Sequence, residues 1–502
     1  MLAKLARVVA TGIVLVAVAF CLGCSDPSGG APVGLLDQDI PVDWFGRARS
    51  LLGLFLMLGV AYVMSNRRSS VDFRLVITGV ALQIVLGLVT LSPPGRLVFG
   101  GVNQGVRQLL AYTGEGASFL FGDLALQNAL PVGRSKLPLP EDPARTDEWL
   151  ARAKNGPIET PAEAGKWSFV NVGAFVAFGV LPTIIFFSSL MAVMYHIGLM
   201  QLLIRGIAWM MQRTMRTSGA ETLSAAGNIF VGQTEAPLLI APFVKDMTVS
   251  ELMAVMTGGF ATVAGGVMIA YVAILYPVFP GIAGHLLCAS IMSAPAALVV
   301  AKIIVPEPDP SASKTFGTLK SIPSAGDVNV IDAAARGAAE GLKLALNVGA
   351  MLLAFISLIA LLNGIVAGIG GWIAPAFGYD GPVSLQLMLG ALLKPVAWCM
   401  GVPWVDAGRI GGLLGVKTIL NEFYAYILLA EEAPKLASPR SMVICTYALC
   451  GFANFSSIAI QLGGISGLAP ERRADLARLG LRAMIGGTLA AFMTACVIGM
   501  LI

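Results

Sequence analysis

The sequence predicts an all-α polytopic membrane protein: about eight core transmembrane helices plus two re-entrant hairpins in an inverted repeat, with interfacial amphipathic helices. Three observations carry this. The 502 residues are 56% hydrophobic and 12% charged, where soluble domains average about 45–50% and about 25%, and the mean hydropathy is +0.80. Apolar runs long enough to cross about 30 Å of hydrocarbon recur along the chain. Between them lie apolar stretches broken by glycine, proline and polar residues, which suit neither a simple span nor a soluble loop. The net charge of +4 is spread thinly, with no basic block of the kind that binds nucleic acid.

Taken in order, residues 1–30 form a signal-like or extra apolar segment with a basic start at Lys4 and Arg7. It can be cleaved, lipidated at Cys24 or retained, and the reading of the rest does not depend on which. Residues 45–122 hold N-terminal scaffold spans, with apolar runs at 51–64 and 75–91. Residues 123–166, proline-rich and mixed in charge, form a polar insertion. Residues 167–195 are a further scaffold span. Arg67 and Arg68 follow the first span, and Arg205, Arg213 and Arg216 follow this one, which sets both ends in the cytoplasm and the insertion outside. Residues 196–304 comprise a first transport half: an interfacial helix, a hairpin and two spans, at 252–276 and 281–305. A linker at 305–327 divides the core. Residues 328–370 are read as a second interfacial helix, over "NVIDAAARGAAEGLKLALNVG", then a scaffold span at 344–369. Residues 371–502 form a second transport half with a hairpin at 389–417 and spans at 443–462 and 483–502.

The seven cysteines are scattered and read as packing residues rather than disulfides or metal ligands. His196 and His285 fall at expected span ends and are read as interfacial. Lys394 either reaches water or pairs with an acid.

Two polar islands interrupt the apolar pattern. "GNIFVGQTEAP" carries Asn228, Gln233, Thr234 and Glu235 between Gly227 and Pro237. A carboxylate at mid-membrane costs about 2.5–3.5 kcal/mol on insertion scales, so Glu235 has to face protein, water or ligand. A hairpin would set residues 233–235 at its tip, and local unwinding of "GGFATVAGGV" at Thr262 would free carbonyl oxygens for a cation. The second half repeats the theme, with Glu422 in "LNEFYAY" and Phe452, Asn454, Ser456 and Ser457 in "CGFANFSSIAIQLGGI". An aromatic face, amides, hydroxyls and two carboxylates suit a ligand with a flat ring and a sugar, because ionised carboxylates accept from hydroxyl donors. Ser456 taken alone serves equally well as a contact between helices.

These motifs, with "IMSAPAALVVAKIIVPEPD", together closely resemble the concentrative nucleoside transporter family from about Trp167 onward. The resemblance implies a homotrimer in the bilayer of the bacterial inner membrane, in which each protomer couples a nucleoside to an inward sodium or proton gradient. It implies base contacts from Gln233 and Thr234, and ribose contacts from Glu235, Glu422, Asn454 and Ser457. An apolar contact falls to Val267 and an aromatic one to Phe452. For sodium, the resemblance implies carbonyls of Asn228, Val231 and Val263 and hydroxyls of Thr234 and Thr262. No catalytic residue and no cofactor beyond the coupling ion is expected. Ala241 departs from a basic residue common in relatives, and Gly232 leans toward purines. Sodium symport of nucleosides is the expectation. A proton-coupled carrier of nucleosides or another hydroxylated solute is the rival, and an intramembrane enzyme using Glu235 and Glu422 as acid and base is the distant one.

Overall fold

The computed structural model describes residues 43–122, 128–132, 168–173, 176–307, 309, 313, 327–373 and 383–502. Cys21, Cys24 and the leader lie outside the described residues.

Asp43 opens α1 (Trp44–Val63) by accepting the Gly46 amide at 2.8 Å, and Asp72 opens α2 (Phe73–Leu91) similarly. Each carboxylate satisfies amides that have no partner within the helix. Ser92 and a pair of prolines start α3 (Pro93–Phe121), a 29-residue helix that hydropathy does not separate out. A short antiparallel pair joins β1 (Asn128–Val132), inside the insertion, to β2 (Ser168–Gly173), so the stretch 167–195 read as one scaffold span opens as a strand and turns helical only later.

Scaffold helix α4 (Leu181–His196) leads through Gly198, in left-handed backbone at φ +85°, into α5 (Leu199–Met215). Helix α5 is amphipathic as expected. Met200, Ile204, Ala208, Met211 and Met215 are buried at helical spacing, while Arg205, Trp209 and Arg213 are exposed.

The broken segment that follows α5 begins at α6 (Gly219–Gly227), whose Ser218 and Glu221 form a reciprocal capping box. The chain turns over residues 228–235 and returns as a 3-10 segment (Ala236–Ile240) and a one-turn helix (Ala241–Val244). The return is tight at Gly227, where a Cβ would lie 2.6 Å from the Leu239 Cδ1. Helix α7 (Val249–Ala261) and α8 (Gly265–Leu275) are separated by the break expected around Thr262. Helix α9 (Ile282–Ile304) closes the first half, capped by Asn103 of α3, whose oxygen accepts the Gly284 amide at 2.7 Å.

Helix α10 (Val330–Ile373) runs 44 residues without interruption. The amphipathic stretch expected to lie separately in the interface is therefore continuous with the span after it. Its glycines account for this. A Cβ on Gly337 would lie 2.6 Å from Ala192 Cβ, and one on Gly341 2.8 Å from Ile185 Cα, so small residues seat α10 directly on α4.

In the second half, α11 (Leu385–Cys399) and α12 (Trp404–Ile419) meet at 118°, a bend consistent with the hairpin expected of residues 389–417 and with a broken span. A further break precedes α13 (Glu422–Glu432), so Glu422 starts a helix rather than sitting inside one. The single span expected at 443–462 is two helices, α14 (Pro439–Leu449) and α15 (Phe455–Leu468). The break between them is imposed by Gly451 at φ +129° and by Asn454, which caps α15. Helix α16 (Arg473–Leu501) completes the chain. Among the described residues, seven helices are long and apolar enough to cross a membrane, or eight with the bent pair counted as one span.

The two broken helices cross at their breaks, since a Cβ on Gly451 would sit 2.8 Å from the Phe260 carbonyl oxygen at the end of α7. Arg216, expected on the cytoplasmic side, lines one cleft with Ser70 and Lys302. Lys302 there pairs with Glu221 at 2.7 Å.

Three smaller expectations change. His285 is fully buried rather than interfacial, its ring stacked on Phe279 with centroids 4.9 Å apart and its Nδ1 3.3 Å from the Tyr447 hydroxyl. The Lys394 ammonium lies 4.2 Å from the Trp404 ring centroid, a cation–π contact rather than an acid pair. Cys288, Cys445, Cys450 and Cys496 are buried free thiols and Cys399 a half-buried one, in keeping with packing roles.

Candidate functional site

The helix breaks decide where polar side chains converge. At the start of α15, Asn454 turns its Oδ1 back to accept the Ser457 amide at 2.9 Å and the Ser456 hydroxyl at 2.7 Å. This leaves the Asn454 Nδ2 to point outward, and it donates to Glu422 Oε2 at 3.0 Å. The other carboxylate oxygen, Oε1, accepts the Tyr271 hydroxyl of α8 at 2.8 Å. Glu422 is only 4% exposed. A buried carboxylate is tolerated when both oxygens receive donors, and here the donors come from opposite halves of the chain.

The same face of α15 continues into the first half. Ser457 Oγ accepts from Gln233 Nε2 at 3.2 Å, and Gln233 Oε1 accepts from Gln461 Nε2 at 3.0 Å. Gln461 also donates to the Met256 carbonyl of α7 at 3.1 Å. An unbroken path of polar contacts thus runs from Tyr271 through Glu422, Asn454, Ser457 and Gln233 to Gln461. Thr234 packs beside it, its Cγ2 3.0 Å from where a Cβ of Gly464 would be.

Glu235 stands apart from this path. Its Oε2 accepts the Gly232 amide of its own turn at 3.2 Å, and its side chain is exposed. Val267, 4% exposed, lies one helical turn before Tyr271, and Phe452 is half-buried against the apolar core. Neither contributes a polar contact, in keeping with the apolar and aromatic character expected of them.

Four of the residues expected to hold a cation lie on two segments that touch, Asn228 and Val231 on the turn and Thr262 and Val263 at the break. The Gly265 amide donates to the Phe230 carbonyl at 2.9 Å, tying the 228–235 turn to the break between α7 and α8. Val231, Thr262 and Val263 are all buried there. The Thr262 hydroxyl donates to the Gly258 carbonyl at 2.9 Å, which leaves its oxygen lone pairs available to a cation. Asn228 is 1% exposed, and neither atom of its carboxamide has a hydrogen-bond partner. Buried amides without partners are rare, and this one sits on the turn that faces the α7–α8 break. Carbonyl and hydroxyl oxygens are the donors that a hard monovalent cation prefers.

Tyr271 and Gln461 escaped the sequence reading, since a tyrosine or glutamine in an apolar helix reads first as packing. Gln461 carried a usable signal: with Asn454 and Ser457 it forms a stripe at helical spacing.

Comparison with known proteins follows the same lines. Models described as the C-terminus and N-terminus of Na+ dependent nucleoside transporters match residues 285–499 and 52–124, and one described as nucleoside recognition matches 177–277. An uncharacterised transporter of Haemophilus influenzae is 39% identical, over 90% of this chain and 97% of that protein. Sodium/nucleoside cotransporter 1 of Homo sapiens is 37% identical over 90% of this chain, which spans 63% of that longer protein. Among solved structures, CNTnw in an inward-facing substrate-bound state superposes with a TM-score of 0.75 at 41% identity, covering 90% of this chain and 97% of the other. An outward-facing CNTnw variant gives 0.75 at 40% identity, with the same coverages.

Proposed function

The chain belongs to the concentrative nucleoside transporter family, and on that premise we propose that it is a sodium-coupled nucleoside symporter working by alternating access. It is a multi-pass membrane transporter and not an enzyme. The observation that carries the proposal is the polar path joining Tyr271 and Gln233 of the first half to Glu422, Asn454 and Ser457 of the second. A solute bound along it touches both halves at once, so their relative motion carries the solute with it.

Glu422, Asn454 and Ser457 take the ribose: the carboxylate accepts sugar hydroxyls and the amide and hydroxyl answer its oxygens. Glu235, exposed on the adjacent turn, is the second sugar acceptor. Gln233 and Thr234 meet the base edge, with Val267 and Phe452 against its faces. Sodium binds between the 228–235 turn and the α7–α8 break, through carbonyls of Asn228, Val231 and Val263 and hydroxyls of Thr234 and Thr262. The unpartnered carboxamide of Asn228 supports an ion or its water at that point. Outward-facing and inward-facing states of CNTnw support the alternating cycle.

A homotrimer in the inner membrane follows from membership of the family, and the exposed Leu346, Leu353 and Leu361 of α10 suit contact with lipid or with another protomer. The test is uptake of radiolabelled uridine by purified protein in vesicles, with sodium and proton gradients imposed separately. Uptake is expected with inward sodium and to vanish when choline replaces it at constant pH. A detergent-free mass of three times 52.2 kDa checks the assembly. Uptake driven by the proton gradient alone removes sodium from the account.

A further inference from the structure

We infer that Gln461 is a positioning residue that fixes which end of the Gln233 carboxamide faces the nucleobase, and so sets base selectivity. This rests on the proposal above that Gln233 meets the base.

The Met256 carbonyl, 3.1 Å from Gln461, can only accept, so the nearer Gln461 atom has to be its amide nitrogen. That nitrogen also faces Gln233 at 3.0 Å, and two amide nitrogens cannot hydrogen-bond through opposed N–H groups. Gln233 is therefore obliged to turn its oxygen toward Gln461. Its nitrogen then points at Ser457 Oγ, 3.2 Å away. A backbone carbonyl of α7 thus dictates, through two side chains, the orientation of an amide that would otherwise flip with little cost.

Burial and close packing show a built arrangement. Gln461 is fully buried, as is most of Gln233. Gly259 makes room for the pair: a Cβ there would lie 2.7 Å from Gln461 Nε2 and 3.0 Å from Gln233 Cβ. Gln461 Oε1 has no hydrogen-bond partner, so its bonding leaves the nitrogen end alone to hold the orientation.

The consequence is chemical. Locked, Gln233 offers one remaining N–H and one oxygen lone pair in a fixed order. Uracil presents a ring N–H beside a carbonyl oxygen, whereas cytosine presents a ring acceptor beside an amino group. A fixed amide discriminates between these edges, and a freely flipping one serves both.

The test is the ratio of kcat/KM for uridine to that for cytidine in reconstituted vesicles. Gln461→Met keeps the volume and removes both donors, and the ratio is expected to move toward one by about 3- to 10-fold, the worth of one neutral hydrogen bond. Gly259→Ala, which retains Gln461 but pushes its amide aside, is expected to shift the ratio the same way and carries the test if the methionine variant fails to reach the membrane. Equal loss for both nucleosides, with the ratio unchanged, marks a merely structural role and overturns the inference. Gln233→Met separates this from the underlying reading. If it shifts the ratio while the Gln461 and Gly259 variants do not, only the inference falls; if it does not, the base-contact role of Gln233 falls first.

Discussion

At the scale of the residue, the site is governed by what a buried carboxylate requires. Glu422 is accommodated in an apolar interior because Tyr271 and Asn454 each donate to one oxygen. Removing one donor leaves one carboxyl oxygen without a partner, and a hydrogen bond to a charged group contributes about 1.5–3 kcal/mol. Tyr271→Phe is accordingly expected to weaken uridine affinity about 10- to 100-fold while the protein still reaches the membrane, as calorimetry on purified protein can measure. Unchanged affinity would falsify the role given to Tyr271. The sequence revealed Glu422 and Glu235 because carboxylates are conspicuous among apolar residues. It revealed neither Tyr271 nor Gln461, whose importance comes from what lies across the gap in space. Asn454 lies between these cases: an amide before a hydroxyl pair reads as a cap, but its second bond to Glu422 depends on tertiary structure.

At the scale of the element, function is placed at breaks rather than within helices. Gly451 adopts φ +129°, which side chains disfavour, and its approach to the Phe260 carbonyl leaves no space for a Cβ. Gly451→Ala is expected to cost about 1–3 kcal/mol in strain and to pull α15 from the end of α7. The measurement is the melting temperature in detergent together with uptake, and both are expected to fall. Breaks flanked by glycine and proline, at 228–235 and 400–403, were legible as sequence. The break at 450–454 was not, because cysteine, phenylalanine and alanine around one glycine keep the hydropathy of a continuous span. The unity of α10 was hidden for the opposite reason. Its Asp332, Arg336, Glu340 and Lys343 resemble an interfacial helix, yet Gly337 and Gly341 on another face dock it against α4.

At the scale of the whole molecule, two halves each supply a broken helix, a turn and an acid, and the polar path joins them. The repeat was visible as an order of segments, although which atoms meet across it was not. The account therefore stands on Glu422 of one half binding the sugar of a solute whose base is held by the other. The most direct measurement is the affinity ratio of uridine to 2′,3′-dideoxyuridine in sodium buffer, for the wild-type protein and for Glu422→Gln. Wild type is expected to prefer uridine by at least about 100-fold, the lower end of what two hydrogen bonds to a charged acceptor contribute, and Glu422→Gln to lose most of that preference. The same ratio in both proteins would contradict the account.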